Sequence, residues 1–299
     1  MRKSGRLEVG RLKDGRPIEV YYELSGNPRG VPVVYLHGGP GDHISSSFRS
    51  MYDPRRYCVL LFDQRGCGKS RPRNHLEKNT TADLLADMEA LRKMAGFEKM
   101  VVAGGSWGTA LGILYAEKYP DRVLGLILRG VYDLNLKDNV IPLIYPAEEK
   151  ALDKLVPSKN DRTFYKKVDR VLRGPRTAKR RKVIDLLTAA APMFVTSRKY
   201  HKDSTRDKET LALLGNHYES HHFFSSKKDL HKKLKKLKHI PVIMVEGRYD
   251  IVTPMFMAQD LCENMANCDL RIVNSGHAAM EPETQKALLR ASNDMLRRI

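Results

Sequence analysis

The stretch Val101-Val-Ala-Gly-Gly-Ser106-Trp-Gly-Thr-Ala-Leu111 decides how this chain is read. Residues 99–103 form a short apolar run of the kind that makes a buried strand, and residues 109–118 read as a helix that stops before Pro120. Between them lies Gly104-Gly-Ser106-Trp-Gly108, which matches G-x-S-x-G. A strand that turns this tightly into a helix has room only for small residues beside its central serine. The turn lifts the hydroxyl to the end of the sheet and aims the positive end of the following helix at it. Ser106 is therefore the candidate nucleophile.

Working outward, strand signals alternate with helix signals. Residues 17–24, 31–36, 57–62, 122–128, 241–246 and 269–273 read as strands, several of them apolar throughout, as central parallel strands are. A helix from Thr80 or Thr81 carries Leu84, Met88, Leu91 and Met94 at three- and four-residue steps and closes at Gly96. Further helices are predicted over 255–265 and 284–297. Such alternation implies an α/β fold, a mostly parallel sheet flanked by helices. The rhythm breaks after residue 133. Residues 147–155 and 182–190 look helical there, and no strand is evident. We therefore expect a core of residues 1–133 and 231–299, with 134–230 inserted as a helical cap over the carboxyl edge of the sheet.

A serine at its ordinary pKa needs a base and a group to orient that base. On this architecture the acid and then the histidine follow the serine along the chain, each beyond a strand's carboxyl end. Asp250, in Gly247-Arg-Tyr-Asp250, and His277, in Asn274-Ser-Gly-His277, fit both conditions. Two backbone N–H groups must hold the oxyanion. Trp107, which follows the nucleophile, is one expected donor. Gly39 in the glycine-rich loop His37-Gly-Gly-Pro-Gly41 is the other, with Gly38 as the alternative. The string Gly66-Cys-Gly-Lys-Ser70 imitates a phosphate-binding loop, but Asp63 stands where that motif needs glycine. His217, His221 and His222 have helical spacing without the acidic or cysteine partners of a zinc set, so they read as pocket or surface residues.

Composition bounds the rest. The chain has 299 residues and a formal net charge of +18, and residues 134–240 hold 26 Lys/Arg against 12 Asp/Glu. Runs such as Lys179-Arg-Arg-Lys182 and Lys232-Lys-Leu-Lys-Lys-Leu-Lys238 read most simply as solvated helix faces. The sharper alternative is a basic cap that makes nonspecific polyanion contact, although no aromatic residues are interleaved for base stacking. No apolar run is long enough to span a membrane, and no secretory signal opens the chain, so a cytoplasmic protein is expected. Four cysteines, Cys58, Cys67, Cys262 and Cys268, lie in no CxxC pair and are expected to be reduced thiols.

Taken together, several strings resemble the proline iminopeptidases, the prolyl aminopeptidase family of the α/β-hydrolase fold. They are Leu36-His-Gly-Gly-Pro-Gly, Leu61-Phe-Asp-Gln-Arg-Gly-Cys-Gly-Lys-Ser, Asn79-Thr-Thr-Ala-Asp-Leu, Gly104-Gly-Ser-Trp-Gly-Thr, Leu128-Arg-Gly, Asn216-His-Tyr, Gly247-Arg-Tyr-Asp and Gly276-His. The resemblance is dense outside the insertion and thin within it. It implies a serine peptidase that removes N-terminal proline from small peptides or amides, with no metal or cofactor and with Gly38, Gly215, His217 and Tyr218 near the substrate. It also implies a glutamate just before Asn216-His-Tyr to pair with the substrate's free amine. This chain has Gly215 there, and Glu219 or Asp185 as substitutes. The catalytic machinery transfers more readily than the exopeptidase specificity, so a relaxed aminopeptidase, amidase or esterase is the alternative.

Overall fold

The computed structural model describes residues 1–135, 140–188 and 207–299. Its strands are β1 (Arg2–Arg11), β2 (Pro17–Gly26), β3 (Val31–Leu36), β4 (Tyr57–Phe62), β5 (Met100–Ser106), β6 (Val123–Val131), β7 (Val242–Gly247) and β8 (Cys268–Val273). They form one sheet in the order β1-β2-β4-β3-β5-β6-β7-β8. β1, β2 and β4 pair antiparallel, and every pairing from β4 to β8 is parallel.

Strand periodicity divides the core between the two faces of the sheet. Val34, Leu36, Leu60, Val102, Leu126 and Met244 point to one face, and Val33, Tyr35, Leu61, Val101, Ile127 and Ile243 to the other. The first face is covered by α1 (Thr81–Met94) and α2 (Trp107–Lys118). Of the two threonines expected to cap α1, Thr80 does so, in a reciprocal box with Asp83. Ten successive residues of α2, Trp107 to Ala116, are buried, so this helix has no solvent face over that length.

Between β6 and β7 the described elements are helical: α3 (Ile141–Ile144), α4 (Pro146–Leu155), α5 (Asp161–Arg173), α6 (Ala178–Leu187), α7 (Lys208–Ser220) and α8 (Lys227–His231). α4 to α7 enclose a separate apolar cluster of Leu152, Val156, Val168, Leu172, Val183, Ile184, Ala212 and Leu213. From Tyr218 onward the apolar residues join the core of the sheet instead. The helix expected over 182–190 begins earlier, at Ala178, and ends at Leu187; residues 189 and 190 lie outside the described residues. After β7 come α9 (Met255–Glu263) and α10 (Pro282–Met295), the latter covering the second face with Leu288, Ala291 and Met295.

Two expectations are corrected. The sequence pattern predicts no strand before residue 17, yet β1 is an edge strand whose Leu7 and Val9 pack inward. Charges along an unpaired edge discourage sheet-to-sheet association, and they also hide the strand from a reading based on apolar content. The expectation of four reduced thiols fails for two of them. Cys262 at the end of α9 and Cys268 at the start of β8 form a disulfide, Cα to Cα 5.5 Å, because the short turn between those elements brings them together. Cys58 and Cys67 are buried free thiols.

Candidate active site

Ser106 ends β5 and caps α2 with φ 57° and ψ −127°, a conformation that L residues seldom adopt. Strain of this kind persists only where the surroundings enforce it. They do so by close packing. A methyl group on Gly108 would stand 2.2 Å from the Leu36 carbonyl oxygen, and one on Gly104 2.4 Å from that of Gly108. The Thr109 hydroxyl donates to the Ser106 carbonyl at 2.7 Å and accepts from Tyr132 N–H at 2.9 Å, tying the turn to the end of β6. Gly108→Ala must therefore push backbone against backbone. We expect it to lower stability by about 3 kcal/mol, as overpacked sites do, which a denaturant melt would measure; a midpoint like that of the unsubstituted protein would show that the turn is looser than described.

Opposite the serine, β6 carries a bulge. Gly105 pairs with Arg129 and Ser106 with Val131, so Gly130 is left over, at φ 56°. The His277 imidazole lies against it: a methyl on Gly130 would be 3.0 Å from Cε1 and 3.1 Å from Nδ1. The histidine ring thus rests against the bulged residue, the one just before the partner of Ser106. His277 Nδ1 is 2.7 Å from Asp250 Oδ2, and both residues are buried. The carboxylate also accepts from Val252 N–H and Thr253 N–H at Oδ1, both at 2.9 Å, and from the Thr253 hydroxyl at Oδ2, 3.0 Å. Burial alone would raise the Asp250 pKa, but the neighbouring imidazole and these donors outweigh it and hold the carboxyl below its ordinary value. An ionised Asp250 accepts at Nδ1, which assigns the proton of a neutral imidazole to Nδ1 and leaves Nε2 as an acceptor.

The loop after β3 faces the same turn. A methyl on Gly38 would stand 3.1 Å from Ser106 Cβ and 3.6 Å from its Oγ, so the backbone of Gly38 borders the hydroxyl directly. Gly39 begins the tight coil that follows. Buried His37 braces this loop: its Nε2 accepts from Gln64 N–H at 2.9 Å, and Gln64 Nε2 donates to the His37 carbonyl at 2.8 Å. The Gln64 side-chain oxygen in turn accepts from the Trp107 indole at 3.1 Å. As the first residue of α2, Trp107 has a backbone N–H without an acceptor within its helix. Close by, Asp63 accounts for the nucleotide-loop imitation. Its carboxylate takes the amides of Ile44 and Lys69 at 2.8 and 2.7 Å, so the loop binds its own side chain where a phosphate loop would bind ligand.

Residues 31–284 match the sequence model of the α/β-hydrolase fold. The chain is 34% identical to a proline iminopeptidase of Neisseria gonorrhoeae, covering 99% of this chain and 97% of that one. It is 36% identical to a proline iminopeptidase of Arabidopsis thaliana, covering 96% and 79%. The chain belongs to the proline iminopeptidase family. Among solved structures, an α/β-fold hydrolase from Bacillus anthracis superposes with a TM-score of 0.70 at 18% identity, covering 99% of each chain. A thermophilic esterase from Thermogutta terrifontis superposes at 0.67 and 19%, covering 98% of each. At such identities they speak for the fold alone.

Within this family member, the residues nearest the cap divide by role. Tyr218 is buried, lies tilted against Trp107 at 5.3 Å between ring centres, and donates its hydroxyl to Asn79 Oδ1 at 2.9 Å. His217 Nε2 lies 2.9 Å from the Asn79 carbonyl, which can only accept, so the imidazole donates there. These two side chains clamp α7 to the start of α1. Gly215, by contrast, has open space where a side chain would go, and α7 passes directly over the loop after β3, the Thr210 carbonyl lying against Gly41. Glu219, one turn on from Gly215, has a carboxyl that burial pushes up to about 7. Asp185 instead pairs with Lys208 at 2.9 Å and is half-exposed.

Several site residues escaped the sequence reading: Thr253, which buttresses Asp250; Arg129, whose guanidinium donates to the His277 carbonyl; Glu246; Gln64; and Asn79. A signal existed for two of them. Arg129 and Glu246 are each a charged residue at the end of a wholly apolar run.

Proposed function

We propose that this protein is a serine hydrolase that releases N-terminal proline from peptides, with Ser106 as nucleophile, His277 as general base and Asp250 as the group that orients it. The observation that carries this is the buried Asp250–His277 pair set against the bulge beside Ser106, at the N-terminus of a fully packed helix. The Ser106 hydroxyl adds to the substrate carbonyl while its proton passes to Nε2 of His277. The oxyanion is held by the backbone N–H groups of Trp107 and Gly39. Collapse of the adduct expels the amine, which takes the proton from His277, and leaves an acyl-serine. Water, deprotonated by the same imidazole, then frees the acid and restores Ser106. The described helices α4 to α7 form a cap over the substrate, and the cytoplasm is the expected compartment; no helix of the described residues is long and apolar enough to cross a membrane.

Free-amine recognition falls to Glu219 in this scheme, because the position before Asn216-His-Tyr is empty. A panel of prolyl, alanyl and N-blocked prolyl amides tests it, and a preference for free-amine prolyl amide is expected. Gly215→Glu places a carboxylate in open space and also removes a helix-interior glycine. We expect KM for free-amine prolyl amide to fall about tenfold, the worth of one hydrogen bond to a charged group, with N-blocked substrate unaffected. Equal turnover of blocked and free substrates by the unsubstituted protein would leave an unspecialised amidase or esterase.

A further inference from the structure

We infer that Glu246 is a positioning residue, one that shares a single proton with Asp250 and through it holds His277 in register with Ser106. The inference rests on the triad proposed above. Glu246 is the next-to-last residue of β7 and wholly buried. Its Oε2 accepts from Val131 N–H at 2.8 Å, and Val131 is the residue paired with Ser106 across the bulge. The turn that follows β7 brings the two buried carboxyl groups into each other's field, Asp250 N–H donating to the carbonyl of Gly247, the residue after Glu246, at 3.1 Å. Glu246 thus joins the β6 arm, which carries Gly130 and the register partner of the nucleophile, to the arm that carries Asp250.

Two buried carboxyl groups in each other's field cannot both stay ionised, so one of them holds a proton. Asp250 already receives four donors: the imidazole, the Thr253 hydroxyl and two amides. Glu246 receives backbone N–H groups from Val131 and, at 3.2 Å, Gly247. The other charged groups around the pair are Arg129 of β6, committed to the His277 carbonyl, and Glu281 at the start of α10, which accepts from Gly276 N–H at 2.8 Å. Burial, followed by the charge of Asp250, pushes Glu246 well above the carboxylate range in spite of Arg129. The proton therefore resides on Glu246 and is the one shared with Asp250. In that state the Asp250–His277 pair carries one negative charge, and Asp250 cannot swing away from the imidazole without abandoning a donor.

The test uses the full chain with Glu246→Gln and Glu246→Leu, reading fluorophosphonate labelling of Ser106 as a function of pH beside the thermal midpoint. Labelling avoids any dependence on substrate preference. Glutamine keeps a neutral donor, so the acid limb of the labelling rate should stay within about 0.3 pH unit, with the rate within threefold. Leucine removes the donor and should slow labelling on the order of a hundredfold, as loss of a supporting hydrogen bond does at other sites. Were Glu246 ionised, its charge would stabilise the imidazolium and raise the pKa of the base; the glutamine variant would then move the acid limb down by a unit or more, and the inference would be overturned. A leucine variant that labels like the unsubstituted protein overturns it as well. If the leucine variant does not fold, the acid limb of the glutamine variant decides alone. Unsubstituted protein that is not labelled at Ser106 defeats the triad itself, a result distinct from either of these.

Discussion

Ser106→Ala is expected to abolish fluorophosphonate labelling and reduce turnover on the order of 10⁴-fold or more, with the thermal midpoint essentially unchanged. The size of the loss follows from the role: without the hydroxyl no acyl intermediate forms, and only substrate binding and the oxyanion donors are left to act on water. The constancy of the fold follows from the turn. Its unusual backbone is imposed by Gly104, Gly108 and the Thr109 bridge, none of which involves the serine hydroxyl, and alanine bears the same backbone strain as serine. Intact-mass measurement after labelling reads the first effect and calorimetry the second. A variant that still takes up the label would place the nucleophile elsewhere.

Asp250→Asn carries the next largest effect, a fall in kcat of about 10³- to 10⁴-fold with little change in KM. The geometry says which way the amide must sit. Oδ1 of Asp250 accepts two backbone N–H groups, so the amide oxygen of asparagine takes that place and its NH₂ faces His277 Nδ1. Two donors then meet at 2.7 Å unless the imidazole moves its proton to Nε2, where it can no longer accept from Ser106. Loss of the carboxylate also removes the charge that stabilises the imidazolium. Rate measurement under saturating prolyl amide checks the prediction, and a variant retaining a tenth of the rate would show that Asp250 is not the orienting group.

Much of this site was legible because its members announce themselves locally. Ser106, Asp250 and His277 each follow an apolar run and stand in a glycine-bearing loop, so one pattern, repeated three times, points to the same edge of the sheet. The residues that support them are legible only in space. Thr253 acts because its loop folds back on Asp250, and Gly130 because β6 carries one residue more than β5 requires. Nothing in the order of residues announces a bulge. The edge strand β1 was missed for the opposite reason, since its pattern was present but nearly all of its residues were polar. The Cys262–Cys268 bond depends on how α9 turns into β8, which spacing alone does not reveal.

The separate apolar cluster of α4 to α7 has a bearing on how such a molecule can change over time. Because those side chains fill one another's gaps and not those of the sheet, substitutions among them are absorbed locally. Helix α2, buried from Trp107 to Ala116, has no such latitude. Selection can therefore rework what the enzyme recognises while leaving its chemistry alone, and relatives with an identical serine turn are free to drift apart in diet.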